Sequence, residues 1–144
     1  VAPVVIALGD TLSCTLPSGT VTGISPDSTA SYAWTGPNGF NSSLQNPPVT
    51  DPGVYFLVVT YANQCTAAAQ ASVVPDDASP QLSAALPDTL TCTQTAVTLI
   101  GTALPASVVL AWSGPGTPSQ AGDTLVVSTA GTYWLVGTAV NGCV

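Results

Sequence analysis

The chain matches itself at an offset of 78 residues, and this internal repeat restricts its fold more than any other feature. Asp10-Thr11-Leu12 and Cys14 return as Asp88-Thr89-Leu90 and Cys92, and Ala33-Trp34-Thr35-Gly36-Pro37 returns as Ala111-Trp112-Ser113-Gly114-Pro115. Further along, Gly53 to Val58 ("GVYFLV") matches Gly131 to Val136 ("GTYWLV"), and Asn63 and Cys65 match Asn141 and Cys143. All anchors keep the same offset with no net insertion, which is the mark of one unit duplicated in tandem. Val73 to Pro80 ("VVPDDASP") reads as the linker, because Pro75 and Pro80 interrupt strand pairing. The repeats are therefore placed at 1–78 and 79–144.

Each copy consists of short β-branched and aromatic runs punctuated by Gly, Pro, Asn and Ser, with no long segment of helical period. That pattern predicts an all-β sandwich. Asp51-Pro52-Gly53-Val54-Tyr55 has the D-x-G-x-Y form of the tyrosine corner in an immunoglobulin-type sandwich. Tyr55 and Tyr133 are expected to face inward and bond back to the backbone near the preceding turn. Two immunoglobulin-like sandwiches in tandem are the predicted architecture. "TAAAQASVVPDD" after Cys65 reads as the final strand of the first, whereas only Val144 follows Cys143. The second is thus expected to lack its last strand within this chain. Either the chain continues or a strand from a neighbouring subunit completes it, with the apolar "VAPVVIAL" (including Val4, Val5 and Ile6) as candidate donor.

Inward Tyr55 and Leu57 turn Val54, Phe56 and Val58 outward, and in the second copy Thr132, Trp134 and Val136. A strand apolar on both faces calls for cover on both. The cover is another strand or loop of the same domain, a contact between subunits or neighbouring domains, or a sugar stacked on the aromatic rings. Phe56 and Trp134 are the candidate interface residues.

Four cysteines in so short a chain suit an oxidising compartment. Of the three possible pairings, duplication favours Cys14–Cys65 and Cys92–Cys143, because either unit alone then closes its own bridge. Each would close a loop of about 50 residues, worth roughly 4 kcal/mol in the chain-entropy account.

Charge excludes several partners. Lys, Arg and His are absent, all seven acidic residues are Asp, and the net charge is −7. Nucleic-acid binding and attraction to anionic lipid headgroups both need cationic side chains. The hydrophobic share is 46%, yet no apolar run approaches the ~18 residues of a membrane-spanning helix. Position 1 is not Met and no signal peptide is visible, so the chain is expected to be a processed or partial product of a secreted, cell-surface protein. The lack of Lys and Arg also removes every trypsin-type cleavage site.

"SYAWTGPNGF" followed by "DPGVYFLVVTYANQC" resembles the Ig-like or PKD-like repeats of large secreted surface proteins and adhesins of Bacteroidetes. The second copy keeps Trp112, Gly114, Pro115, Gly131, Tyr133 and Cys143 but has "GPGTPSQ" in place of the "NGF" tail. The resemblance implies an extracellular, tandemly arrayed, non-catalytic module, and it names no ligand.

Asp-[Ser/Thr]-[Leu/Thr] occurs at Asp10-Thr11-Leu12, Asp27-Ser28-Thr29, Asp88-Thr89-Leu90 and Asp123-Thr124-Leu125. The structural reading is a turn: Asp caps it, the hydroxyl residue opens a strand, and Leu enters the core. In the context of the resemblance, the triplets are similar to the O-glycosylation acceptor pattern of exported Bacteroidetes proteins. Thr11, Ser28, Thr89 and Thr124 would then carry glycan, supplying hydration that a nearly uncharged surface lacks. Asn41-Ser42-Ser43 also fits the N-x-[ST] sequon. An aspartic-protease site would need Gly where Leu or Thr stands.

No catalytic function is expected. His, Lys and Glu, the usual bases beside a nucleophile, are missing, and no second motif supports glycoside cleavage by paired Asp. No cofactor is expected beyond covalent glycans. The cysteine spacing fits no zinc pattern, and Asp76-Asp77 is the single candidate for Ca²⁺, against the plainer reading of a solvated acidic turn. The whole points to a structural subunit that assembles with copies of itself into a filament or stalk. The alternatives are a ligand- or carbohydrate-binding adhesin module and an accessory domain of a secreted enzyme.

Overall fold

A computed structural model describes residues 4–85 and 89–144. The chain divides into two compact units, Val1–Asp77 and Ala78–Val144.

Unit one contains β1 (Ile6–Leu8), β2 (Thr11–Ser13), β3 (Gly19–Thr20), β4 (Thr22–Ile24), β5 (Ser31–Thr35), β6 (Asn41–Ser42), β7 (Pro48–Val49), β8 (Gly53–Thr60) and β9 (Thr66–Asp76). Its main sheet runs in the order β2-β9-β8-β5-β6, with two short ladders, β1–β4 and β3–β7, beside it. Strict alternation builds β8: Tyr55, Leu57 and Val59 are buried while Val54, Phe56 and Val58 are exposed. β9 pairs with it antiparallel along its whole length, from Gly53↔Val73 to Thr60↔Thr66. β2 runs parallel to the far end of β9 in the register Thr11↔Val74, Leu12↔Pro75, Ser13↔Asp76. Leu12 of β2, Val21 between β3 and β4, and Val49 of β7 pack with Trp34, Tyr55, Leu57, Val59 and Val73, and this is the core of a sandwich.

Two polar handles are satisfied inside that core. Trp34 donates its indole N–H to the Gln45 carbonyl at 3.3 Å, and the Tyr55 hydroxyl donates to the Asp51 carbonyl at 2.8 Å. The second bond closes the tyrosine corner. Gly36 lies against the Tyr55 ring so closely that a Cβ there would collide with it, which explains a Gly in Trp-x-Gly-Pro.

Unit two contains β10 (Gln81–Ala84), β11 (Val97–Leu104), β12 (Val109–Gly114), β13 (Thr117–Ala121), β14 (Thr124–Val127) and β15 (Trp134–Thr138). One sheet has the order β10-β11-β14 and the other β13-β12-β15. Val97, Trp112, Leu125 and Val127 form its buried core, with Leu90, Leu99, Tyr133 and Leu135 partly buried against it. The two polar handles recur at the repeat positions. Trp112 donates to the Asp123 carbonyl at 3.2 Å, Tyr133 to the Thr129 carbonyl at 2.8 Å, and Gly114 lies against the Tyr133 ring. All-β layers, this strand order and the tyrosine corner make the fold an immunoglobulin-like β-sandwich.

One expectation about the N-terminal segment is corrected. Ile6–Leu8 pairs antiparallel with Thr22–Ile24 of its own unit, through Ile6↔Ile24, Ala7↔Gly23 and Leu8↔Thr22. Val5 and Ala7 pack against the unit-one core. Alternating apolar side chains give this segment one buried face, and unit one uses it. The strand is therefore part of unit one rather than a spare donor. Val1 to Pro3 lie outside the described residues.

Candidate functional site

Three features stand out as places where the chain can meet something else: an unpaired strand edge, an apolar outer face and two free thiols. The edge belongs to β15. In unit one, the equivalent strand β8 is hydrogen-bonded to β5 on one side and β9 on the other. In unit two, β15 pairs with β12 from Val109↔Thr138 to Ser113↔Trp134. Among the described residues, no strand pairs with its other side. Backbone N–H and C=O groups along that side are thus free to accept a further strand. Burial follows the pairing: Tyr55 and Leu57 are 0% exposed, whereas their counterparts Tyr133 and Leu135 are only half-buried.

The outer face is apolar and uncovered within each unit. Phe56 is 53% exposed, with Val54 and Val58 exposed on either side of it, and a shallow hollow of about 290 Å³ beside it is lined by Ala68, Ala69 and Gln70. Trp134 is 58% exposed and Val136 stands exposed two residues on. Of the three covers expected for this face, a strand or loop of the same unit is not the one used. At the N-terminus Val4 and Ile6 are exposed, and Val5 turns inward. Unit two also has a cleft of about 460 Å³ lined by Gly101, Val108, Leu110, Ala121, Gly122 and Asp123. At the matching place in unit one, the Gln45 side chain reaches the Gly23 carbonyl at 2.9 Å.

The cysteines correct the sequence reading. Cys65 and Cys92 are free and exposed, while Cys14 and Cys143 are disulfide-bonded. Neither Cys14–Cys65 nor Cys92–Cys143 is formed. The reason lies inside each unit. Cys14 follows Ser13, which sits opposite Asp76 at the end of β9, and Cys65 immediately precedes Thr66 at its beginning. An eleven-residue strand separates them, a length of roughly 35 Å. A disulfide needs Cα atoms within about 7 Å. In unit two, Cys92 adjoins Leu90, which packs against the Val97–Val127 core cluster, while Cys143 lies in the turn beyond Thr138, at the opposite end of β15 from Tyr133. Sequence spacing reports loop length and carries no distance, so the repeat alone does not say which cysteines meet.

The candidate glycan acceptors Thr11, Ser28, Thr89 and Thr124 are all exposed. Thr11 opens β2 and Thr124 opens β14, as the turn reading of the motif requires, and Leu12 and Leu125 enter the cores. Asp10 accepts the Thr20 N–H at 2.9 Å and the Thr11 N–H at 2.8 Å, and these two bonds hold its carboxyl below the ordinary range. Asp27 accepts the Thr29 hydroxyl at 2.7 Å and its N–H at 2.8 Å, with the same effect. Asp88 lies outside the described residues. Asn41 is exposed on β6, and its Nδ2, the atom a glycan would take, donates to the Gly39 carbonyl at 2.8 Å. Among the described residues no group of three His, Cys, Asp or Glu gathers, at Asp76 and Asp77 or elsewhere. Among the same residues no helix is long and apolar enough to cross a membrane.

No family model and no curated protein matches the chain. Solved structures with a similar fold include Sidekick-1 immunoglobulin domains 1-4, at 15% identity and a TM-score of 0.46 over 98% of this chain and 46% of that one. Dscam1 isoform 8.4, N-terminal four Ig domains, matches at 14% identity and a TM-score of 0.42 over 98% of this chain and 49% of that one. Three N-terminal domains of the bacteriophage RB49 Hoc protein match at 11% identity and a TM-score of 0.45, over 98% of this chain and 55% of that one. The chain spans about half the length of each. The immunoglobulin-like description rests on the strand order and tyrosine corner above.

Proposed function

We propose that the chain is a non-catalytic module of an extracellular polymer or surface stalk, assembled with copies of itself by strand addition and by burial of its apolar outer faces. The observation that carries this reading is the contrast between β8 and β15, one strand flanked on both sides and its repeat equivalent flanked on one. An antiparallel strand with the alternation of β9 would satisfy the open backbone groups of β15 and cover Leu135 and Tyr133. The exposed Phe56 and Trp134 faces supply apolar area that a second copy would remove from water. Glycans on Thr11, Ser28, Thr89 and Thr124 would keep the remaining surface hydrated, and Bacteroidetes surface arrays are the setting that the motif resemblance suggests. A second reading, carbohydrate binding, draws on the exposed Trp134 ring, a flat apolar face on which a sugar can stack.

Sedimentation and electron microscopy of the full chain in reductant test the proposal. Oligomers or filaments are expected, and an excess of a peptide with the Thr66–Asp76 sequence should disperse them by occupying β15. A monomer at all concentrations, indifferent to the peptide, would overturn it. Glycan-array binding lost in Trp134→Ala would support the second reading instead.

A further inference from the structure

In unit one β9 fills a slot with two walls and a floor. One wall is β8, which it meets antiparallel, with Val73 opposite Gly53 and Ala71 opposite Tyr55. The other wall is β2, which runs parallel to it with Thr11 opposite Val74. There the Val74 N–H donates to the Asp10 carbonyl at 3.1 Å. The floor is the core, where Ala71 and Val73 belong to one buried cluster with Leu12, Val21, Val49 and Tyr55. The beginning of β8 depends on this neighbour, because residues 53–55 pair with β9 alone and only 56–60 also meet β5.

At the repeat offset the same slot stands open in unit two. A cavity of about 290 Å³ is lined by Leu90, Val97, Leu99, Val127, Gly131 and Tyr133, and no described residue around it carries a charge. Leu90, Leu99, Val127, Gly131 and Tyr133 are the counterparts of Leu12, Val21, Val49, Gly53 and Tyr55, which cluster or pair with Ala71 and Val73. Leu90, Leu99 and Tyr133 are half-buried where Leu12, Val21 and Tyr55 are buried. Both walls are unfinished as well. β15 begins at Trp134, although the counterpart of the first β8 residue is Gly131, and residues 89–91 form no strand where 11–13 form β2. The cavity, the shortened strand and the missing β2 counterpart all fall at positions that β9 serves in unit one.

We propose that this slot binds an extended strand whose inward side reads small-x-Val without charge, and that the Val seated in the cavity fixes its register. The small residue lies opposite Tyr133 and the Val opposite Gly131, as Ala71 and Val73 lie opposite Tyr55 and Gly53. The occupant runs antiparallel to β15, lengthens it back to Gly131, and draws residues 89–91 into a parallel strand on its other side. Main-chain bonds along an open edge hold a strand in any register, and a pocket for one side chain selects among them. A charged residue at the Val position would lose its hydration and find no partner. The inference rests on the strand-addition reading and adds to it the sequence and register of the partner strand.

The test is isothermal titration of the full chain with a peptide of the Thr66–Asp76 sequence, and residue-resolved hydrogen exchange on the complex. The peptide should bind, and protection should rise at residues 89–91 and 131–133 as well as along β15. Val73→Asp in the peptide should weaken binding by about tenfold or more, because its carboxylate would be buried unpaired. Ser72 is exposed in unit one. Ser72→Asp, which adds the same charge on the outward side, should therefore stay within about threefold of the parent peptide. Every substitution is in the peptide, so the fold of the protein is not at issue. Equal affinities for the two Asp peptides, with protection confined to Trp134–Thr138, would overturn the slot and leave the edge-completion reading in place. No binding of any of the peptides, even at millimolar concentration, would overturn both.

Discussion

In unit one β8 lies between β5 and β9 and every inward side chain on it is fully buried; in unit two β15 has β12 alone and its inward Leu135 and Tyr133 stay half-exposed. The two strands carry nearly the same sequence, so the difference comes from the neighbour and not from the strand. Local motifs survive the difference intact: Trp34 and Trp112, and the hydroxyls of Tyr55 and Tyr133, keep their carbonyl partners. Strand pairing decides how much a motif is buried, and burial decides how much it stabilises.

The largest effect that can break this comparison is truncation of the paired leucines. Leu57→Ala should cost about 3–5 kcal/mol, because full burial adds a cavity to the lost transfer energy. Leu135→Ala should cost roughly half as much in denaturant unfolding of the full chain. Equal costs would mean that β9 adds little to the unit-one core. Next, Tyr55→Phe leaves the Asp51 carbonyl unpaired in a part-buried corner and should cost about 1–2 kcal/mol. Tyr133→Phe, whose partner at Thr129 is exposed to water, should cost under about 1 kcal/mol. Smallest is the acid response of unit one. Asp10 and Asp27 titrate below the ordinary 3.8 when folded, so their contribution is complete above that pH. It falls away as pH drops through their folded values. Asp10→Asn should therefore flatten part of the loss of stability between neutral and strongly acid pH, and an unchanged profile would show that its bonds to Thr20 and Thr11 do not stabilise the fold.

Much of this was legible in the sequence because it is encoded locally. Period two in "GVYFLVV" predicts which side chains face in, and D-x-G-x-Y predicts the hydroxyl bond from Tyr55 to the Asp51 carbonyl. The turn reading of Asp-Thr-Leu holds at Asp10, whose carboxylate caps both Thr11 and Thr20, although the Thr20 partner ten residues away carried no sequence signal. Long-range geometry was not legible. Cys14 and Cys65 look like a pair in the repeat, but β9 holds them at opposite ends of the sandwich, and only the parallel register of β2 with β9 reveals it. The N-terminal strand misled for a similar reason. An apolar alternation such as that of Val5 and Ala7 states that a face will be buried, without stating against what.

The most direct test of the central claim is residue-resolved hydrogen exchange comparing β8 with β15. Amides throughout Phe56–Thr60, where β8 is flanked on both sides, should be protected. In Trp134–Thr138 protection should alternate, strong where the N–H faces β12 and weak where it faces the open side, and a peptide with the Thr66–Asp76 sequence should protect the weak set. Uniform protection of β15 before any peptide is added would contradict the account.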